Sequence, residues 1–397
     1  MNMKTMLAAL QGITAYKDIL SQPVMECALR LVTRTVHGDG LGGLEAYTDL
    51  FYRLRMEGCA GLGVWLGQTL RWSESPYPRL AEREDRDPAL EQAARLDISA
   101  FELLASVDCD KWLAQLGRLL DSDYQGVLTS LPRWQGGVPF SFDGLTRAYQ
   151  QEGAGRFARY QAFVWDSGEL IPVARPDCPA ASELLGYDNQ RIEVERNTRA
   201  LLEGRYVNNV LLYGESGTGK SATVKNLLTL PGMEELRIIE ADKENLGGLP
   251  ALIRTLDGRR QKFIVFIDDL TFDRDDPTYS VLKTILEGGV ERRPQNVAVH
   301  ATSNRRHLVR QTISERAGDE MDRSETIREK TSLADRFGVR ILFQGLNKPE
   351  FLALVDMLAE QHRVELPQEE LHRQAMAWER FHGAQTPRTA LQFILSL

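Results

Sequence analysis

At 397 residues the chain is long enough for two or three domains and for a full hydrophobic core without disulfide or metal staples. Its net charge of −8 does not conceal a basic half: residues 1–180 carry 18 Lys and Arg against 23 Asp and Glu, and the remainder carries 30 against 33, which excludes a broad electrostatic footprint for nucleic acid. Cys27, Cys59, Cys109 and Cys178 have no paired or metal-ligand spacing, Met6–Leu10 is too short for a signal-peptide core, and the uncharged stretch Gly58–Leu70 is too short and too glycine-rich to span a bilayer, so the expectation is a cytoplasmic protein with no membrane span.

Residues 1 to about 155 read as mainly helical. Apolar side chains recur at helical spacing in Phe51-Tyr52-Leu54-Met56, in Phe101-Leu103-Leu104 and through Trp112, Leu113, Leu116, Leu119 and Leu120. The tryptophans Trp65, Trp72, Trp112 and Trp134 are open to two readings, core packing and a ligand surface. The charged run Glu82–Asp87 reads as a solvated loop or helix face, and Gly136-Gly137-Val138-Pro139 marks a turn. A short hairpin is predicted from Phe163-Val164-Trp165 through Asp166-Ser167-Gly168 to Leu170-Ile171-Pro172-Val173. Arg175-Pro176-Asp177-Cys178-Pro179 then breaks the chain, which puts the expected domains at 1–180 (helical, ending in the hairpin), 181–346 (α/β) and 347–397 (a small helical lid).

In the middle domain strands predicted at 209–213, 236–240, 263–267, 297–302 and 339–343 alternate with helices, the rhythm of a parallel sheet covered on both faces. The first runs straight into Gly214-Glu215-Ser216-Gly217-Thr218-Gly219-Lys220-Ser221, which fits GxxxxGK[ST] between a strand and a helix. Glycines allow successive backbone N–H groups to turn around an anion, the helix start adds its positive end, Lys220 is expected on the β- and γ-phosphates and Ser221 on Mg²⁺. Phe263-Ile264-Val265-Phe266-Ile267 ends in Asp268-Asp269: Asp268 is expected to hold the metal, and Asp269 to orient or deprotonate the attacking water. A buried strand ending in a solvated Asp pair is the alternative for that segment taken alone. Val297–Ala301 leads to Thr302-Ser303-Asn304, a polar tip suited to a γ-phosphate or a water, or else a plain turn. Arg305 and Arg306 read as interface or surface residues. Thr386-Pro387-Arg388 starts a helix, with Arg388 in a first turn whose dipole disfavours a cation unless an anion meets it.

Taken in order, Gly214–Ser221, Asp268-Asp269, Ala301–Asn304, Ser332–Gly338 and Gly383–Arg388 resemble the Walker A, Walker B, sensor 1, box VII arginine-finger and sensor 2 motifs of AAA+ ATPases. Tyr206–Gly214, Leu282–Gly289 with Arg293–Val297, and Ala301–Leu308 resemble one bacterial branch, catalogued as a domain of unknown function. The resemblance covers residues 184–397. It implies an α/β P-loop fold with a five-stranded parallel sheet of order 5-1-4-3-2 and a helical lid, ATP with Mg²⁺ as cofactors, and a ring-like or spiral homo-oligomer. It also implies that Leu185-Gly186-Tyr187 lies against the adenine, that Asn304 is the sensor, that Arg336 acts on a neighbour's nucleotide, and that Arg388 acts from the lid. Two departures stand out: the second Walker B carboxylate is Asp269 where Glu is usual, which points to slow or gated hydrolysis, and Ile239–Leu256 lacks an aromatic pore-loop signature. Ser314–Lys330, dense in both charges, reads as a surface insertion.

Asn347-Lys348-Pro349-Glu350 imitates a guanine-binding motif but ends in Glu, and the histidines His37, His300, His307, His362, His372 and His382 form no metal pattern. The favoured reading is an ATP hydrolase that remodels or loads a macromolecular partner recruited through residues 1–180. An ATP-gated binding module with little turnover is the alternative, and the sensor and arginine motifs disfavour a small-molecule kinase. Nucleic acid as the partner draws no support from charge.

Overall fold

The structure, a computed structural model, describes residues 2–272, 277–287, 293–304 and 333–397. The readings placed on Arg305, Arg306, Ser314–Lys330 and Ser332, and the end of Leu282–Gly289, lie outside the described residues. The chain divides into two compact units, Met1–Arg159 and Tyr160–Leu397.

The first unit is helical among its described residues, its longest helices being Pro23–Val36, Gly40–Met56 and Pro88–Ala105. Trp65, Trp112 and Trp134 are buried in one core with Tyr16, Phe101 and Tyr149, which settles those three tryptophans as packing. Trp72 is half-buried, with the Arg159 guanidinium 4.5 Å above its ring. Within this core the Asp97 carboxylate accepts the backbone N–H groups of Thr14 (3.0 Å), Ala15 (2.7 Å) and Tyr16 (3.1 Å), tying the segment after the first helix to helix Pro88–Ala105. Of the charged run 82–87, Glu82 is buried and the rest is exposed.

The second unit is built on a seven-stranded sheet: β1 (Ala162–Asp166), β2 (Glu169–Val173), β3 (Val210–Gly214), β4 (Leu236–Ala241), β5 (Lys262–Ile267), β6 (Val297–Ser303) and β7 (Val339–Phe343), in the order β2-β1-β4-β5-β6-β3-β7. Among the described strands only β1 and β2 run antiparallel to each other. Two expectations need correction. The sheet has seven strands where five were expected, and the hairpin assigned to the N-terminal region belongs to the second unit. The reason is edge satisfaction: β4 would otherwise leave a row of unpaired backbone groups, and β1 covers it in register Ala162↔Ile238 to Trp165↔Ala241 while burying Ala162, Phe163 and Trp165. Positive φ at both Ser167 (49°) and Gly168 (87°) closes the hairpin in a two-residue turn that matches the strand twist.

β5 and β6 are nearly continuous buried runs, as strands covered on both faces must be. Their register (Ile267↔Ala301), with Tyr213↔Ser303 and Gly214↔Phe343, gathers the C-terminal ends of β3, β5, β6 and β7 along one edge of the sheet. The chain ends in helices Lys348–His362, Gln368–His382 and Pro387–Ile394, packed around Phe351, Leu354, Val355, Leu371, Ala375 and Phe393. Asn347 and Glu350 are a reciprocal capping box at the first of these, with Glu350 N–H donating to Asn347 Oδ1 (3.0 Å) and Asn347 N–H to Glu350 Oε2 (2.9 Å), which accounts for the residues that imitate a guanine motif.

His300, in the middle of β6, is fully buried, and neither of its ring nitrogens has a hydrogen-bond partner among the described residues. Burial pushes its pKa down to about 3, so the folded chain holds it neutral. The unfolded chain takes up that proton near its ordinary value of about 6.5 and binds more protons than the folded chain below that pH, so this contribution to stability is present above about 6.5 and is lost as the pH falls. Urea titrations at about pH 6.5 and about pH 5.5 should show the second unit losing close to 1 kcal/mol from this group, and His300→Leu should remove that part of the loss.

Candidate nucleotide site

The loop after β3 wraps a cradle whose shape its glycines make possible. At Gly214 φ is +138°, and a Cβ there would lie 2.0 Å from the Phe343 carbonyl oxygen, because Glu215 N–H bonds that same oxygen at 3.0 Å. At Gly217 φ is +79°, and a Cβ would meet Arg388 Cβ and Thr386 Oγ1 at 3.0 Å each. Thr218 is buried and donates from Oγ1 to the Glu215 carbonyl at 2.8 Å, closing the loop on itself.

Helix Lys220–Asn226 follows at once, so Lys220 starts it while its side chain turns back into the loop. The residue is 6% exposed, and its ammonium donates to the carbonyls of Glu215 (2.6 Å) and Gly214 (3.1 Å) and to Asn304 Oδ1 (2.9 Å). Burial pushes its pKa below the ordinary lysine value; Asp268 and Asp269 oppose that shift, and the Arg388 cation adds to it. Ser221 Oγ donates to Asp268 Oδ1 at 2.6 Å, and Thr302 Oγ1 donates to the same oxygen. Asp269 has φ +47°, its N–H bonds Thr302 Oγ1 at 2.9 Å, and its Oδ1 accepts Asn304 Nδ2 at 2.8 Å.

These groups open on a cavity of about 810 Å³. Ser216, Gly217, Gly219, Lys220 and Ser221 line it from the loop, and Asp268, Asp269, Thr302 and Asn304 from the strand ends. Arg388 lines it from helix Pro387–Ile394, whose first turn is tied down by Thr386 capping Thr389 N–H (3.4 Å) and by Arg388 N–H donating to the Gly217 carbonyl (3.2 Å). The far wall is largely aliphatic: Leu354 and Leu358 with His362 from helix Lys348–His362, and Leu391 and Leu395 from the C-terminus. The i, i+4 spacing of those leucines was the available signal for this wall, though it reads equally as core. Two cations, a turned-in loop backbone and a hydroxyl beside a carboxylate suit a polyphosphate with a hard, oxygen-bound cation. Among the described residues no group of three or more His, Cys, Asp and Glu could hold a metal ion by itself.

Not every expected residue lines this cavity. Gly214 and Glu215 contribute carbonyls to Lys220 and lie behind the loop. Leu185 lines the wall, whereas Gly186 and Tyr187 are outside the lining. The Tyr187 ring packs on Phe343 (5.2 Å between centroids) and its hydroxyl donates to the Gln344 carbonyl at 2.6 Å. Burial, with Glu215 and Glu350 nearby, pushes that hydroxyl up to about 12. Arg336 lies on the turn before β7, at the opposite end of that strand from Gly214.

A glycine-rich GxxxxGK[ST] loop formed between a parallel strand and a helix, beside a second strand ending in paired carboxylates and a third ending in a polar tip, is the arrangement of a P-loop α/β fold. Residues 158–397 match the model of the family described as "Protein of unknown function (DUF815)", and the chain belongs to that family. No curated protein matches the chain's sequence. Among solved structures it is similar to the Thermotoga maritima RuvB Holliday junction branch migration motor (18% identity over 56% of this chain and 64% of that one, TM-score 0.37). It is also similar to two mutants of the same T. maritima protein (17% identity, the same coverages, TM-score 0.38). The chain thus spans less than two thirds of those structures' length.

The close approach at Gly214 gives a direct test of the cradle. Gly214→Ala should destabilise the second unit by about 2 kcal/mol or more in urea titration, since backbone rather than a flexible side chain blocks the new methyl. Gly247→Ala, where a Cβ has nothing within 4 Å, should change it by less than about 0.5 kcal/mol.

Proposed function

We propose that the chain binds ATP with Mg²⁺ and hydrolyses it at the interface between copies of itself, using the cycle to remodel or load a macromolecular partner. The observation that carries this reading is the convergence of Lys220, Arg388 and the Ser221–Asp268 pair on one cavity. Lys220 and the loop N–H groups would hold the β- and γ-phosphates, Arg388 would reach the γ-phosphate from the C-terminal helices acting as a lid, and Ser221 and Asp268 would hold the metal. Mg²⁺, when bound, would neutralise phosphate charge. Asn304 and Asp269 would orient the attacking water, with Asp269 accepting its proton. Leu185 and the aliphatic wall offer the base an apolar surface, with Gly186 and Tyr187 shaping the segment behind it.

Arg336 would act on a neighbouring copy's nucleotide. Its place supports this: the residues of β7, at about 3.3 Å each, put it roughly 15 Å along the strand from its own loop. A ring or spiral homo-oligomer follows from that role, and the helical first unit is left for the partner. Among the described residues no helix is long and apolar enough to cross a membrane. One observation favours the alternative, an ATP-gated binding module with little turnover: the short Asp269 side chain is held by Asn304 at 2.8 Å.

Lys220→Ala should lose ATP binding in calorimetric titration, by about 2 to 3 kcal/mol for a charged hydrogen-bonded contact, with the fold retained. Wild-type affinity in that variant would remove the loop assignment. Arg336→Ala should bind ATP normally and lose at least about tenfold in assembly-dependent hydrolysis, or roughly 1.4 kcal/mol of barrier. Mixed with Lys220→Ala, which keeps Arg336 but cannot hold ATP, it should recover part of the rate. No recovery at any ratio, with mixed assembly shown by cross-linking, would count against a shared site.

A further inference from the structure

We propose that Thr302 is a positioning residue for hydrolysis: its hydroxyl locks the two carboxylates Asp268 and Asp269 into a single arrangement, the first aimed at the metal and the second at the water. The inference rests on the hydrolytic reading above and adds to it a residue that touches neither the metal nor the reacting water in that role.

The geometry is specific to residue 302. β5 ends at Ile267, paired with Ala301 of β6, and the chain then turns sharply through Asp268, Asp269 and Leu270. Thr302 grips that turn three times: Oγ1 donates to Asp268 Oδ1, Oγ1 accepts Asp269 N–H at 2.9 Å, and its carbonyl accepts Leu270 N–H at 2.7 Å. The residue is 2% exposed, so a lost bond there is not replaced by bulk water.

Two consequences follow for the carboxylates. Ser221 and Thr302 both donate to Oδ1 of Asp268, which fixes the rotation of the carboxylate and leaves Oδ2 outside those bonds. Asp269 has its backbone in the left-handed region, at φ +47°, where a non-glycine residue stays only when its surroundings hold it. The N–H bond to Thr302 is that restraint on the main chain, and the Asn304 amide is the restraint on the side chain. A valine at 302 keeps the branched shape and most of the volume but can neither donate to Asp268 nor accept from Asp269. The Asp269 carboxylate would then leave its attack position and Asp268 would keep only the Ser221 bond, while the loop Gly214–Lys220, built by other residues, stays intact.

The test compares wild type, Thr302→Val and Thr302→Ser by calorimetric titration with Mg·ATP, by steady-state ATP hydrolysis and by thermal unfolding. Thr302→Val should lower kcat at least about tenfold while affinity for Mg·ATP, which loses one of the two bonds fixing Asp268, falls by clearly less than kcat does, and Thr302→Ser, which restores the hydroxyl, should bring kcat back to within about threefold of wild type. The proposal fails if Thr302→Val hydrolyses like wild type, if affinity falls as much as kcat does, or if Thr302→Ser is as slow as Thr302→Val, since the methyl and not the hydroxyl would then matter. Should Thr302→Val not fold, Thr302→Ala is read in the same way, and a failure of both to fold makes the hydroxyl purely structural and overturns the proposal. Absence of turnover in the wild type itself would remove the hydrolytic reading and the proposal together, whereas equal turnover in wild type and variant removes the proposal alone.

Discussion

A lysine that is largely buried needs acceptors for its ammonium, and the second unit is arranged around that requirement at Lys220. Its partners come from the end of β3, from the loop itself and from the end of β6. Each demands something further of the fold. The β3 end can offer its carbonyl only because Gly214 allows the loop backbone to lie against the Phe343 carbonyl of β7. The β6 end can offer Asn304 only because β6 lies between β3 and β5 in the sheet.

The same constraint joins the C-terminal helices to the loop. Gly217 has no side chain where Thr386 and Arg388 pack, so the first turn of helix Pro387–Ile394 sits on the cradle and its backbone bonds the Gly217 carbonyl. Burial is the main cause of the lowered Lys220 pKa, and Arg388 stands close enough to add to it.

The hairpin β1–β2 shows a different logic. It contributes nothing to the cavity, yet it lengthens the sheet on the side away from β3 and covers the edge of β4. Its own outer strand is mostly exposed and carries Pro172, a residue without an N–H to offer to a further strand.

Much of the site could be read from the linear pattern because local chemistry dictates it. A glycine-rich loop between an apolar strand and a helix, and an apolar run ending in Asp268-Asp269, can do few things other than what the structure has them do, since the glycines are required by backbone geometry and a continuous apolar run by burial on both faces. The strands of the parallel core fall within about one residue of their expected bounds for the same reason. Sequence could not decide which edges meet. The hairpin has the same local signature whether it ends one domain or extends the sheet of the next, and only the pairing of Ala162–Trp165 with β4 resolves it. The leucines at 354, 358 and 391 have a periodicity that suits a core or a cavity wall equally. Thr302 looked like one polar residue of a strand tip, and its threefold grip on Asp268–Leu270 exists only because β6 runs beside β5 in that register, a non-local fact that no stretch of chain carries by itself.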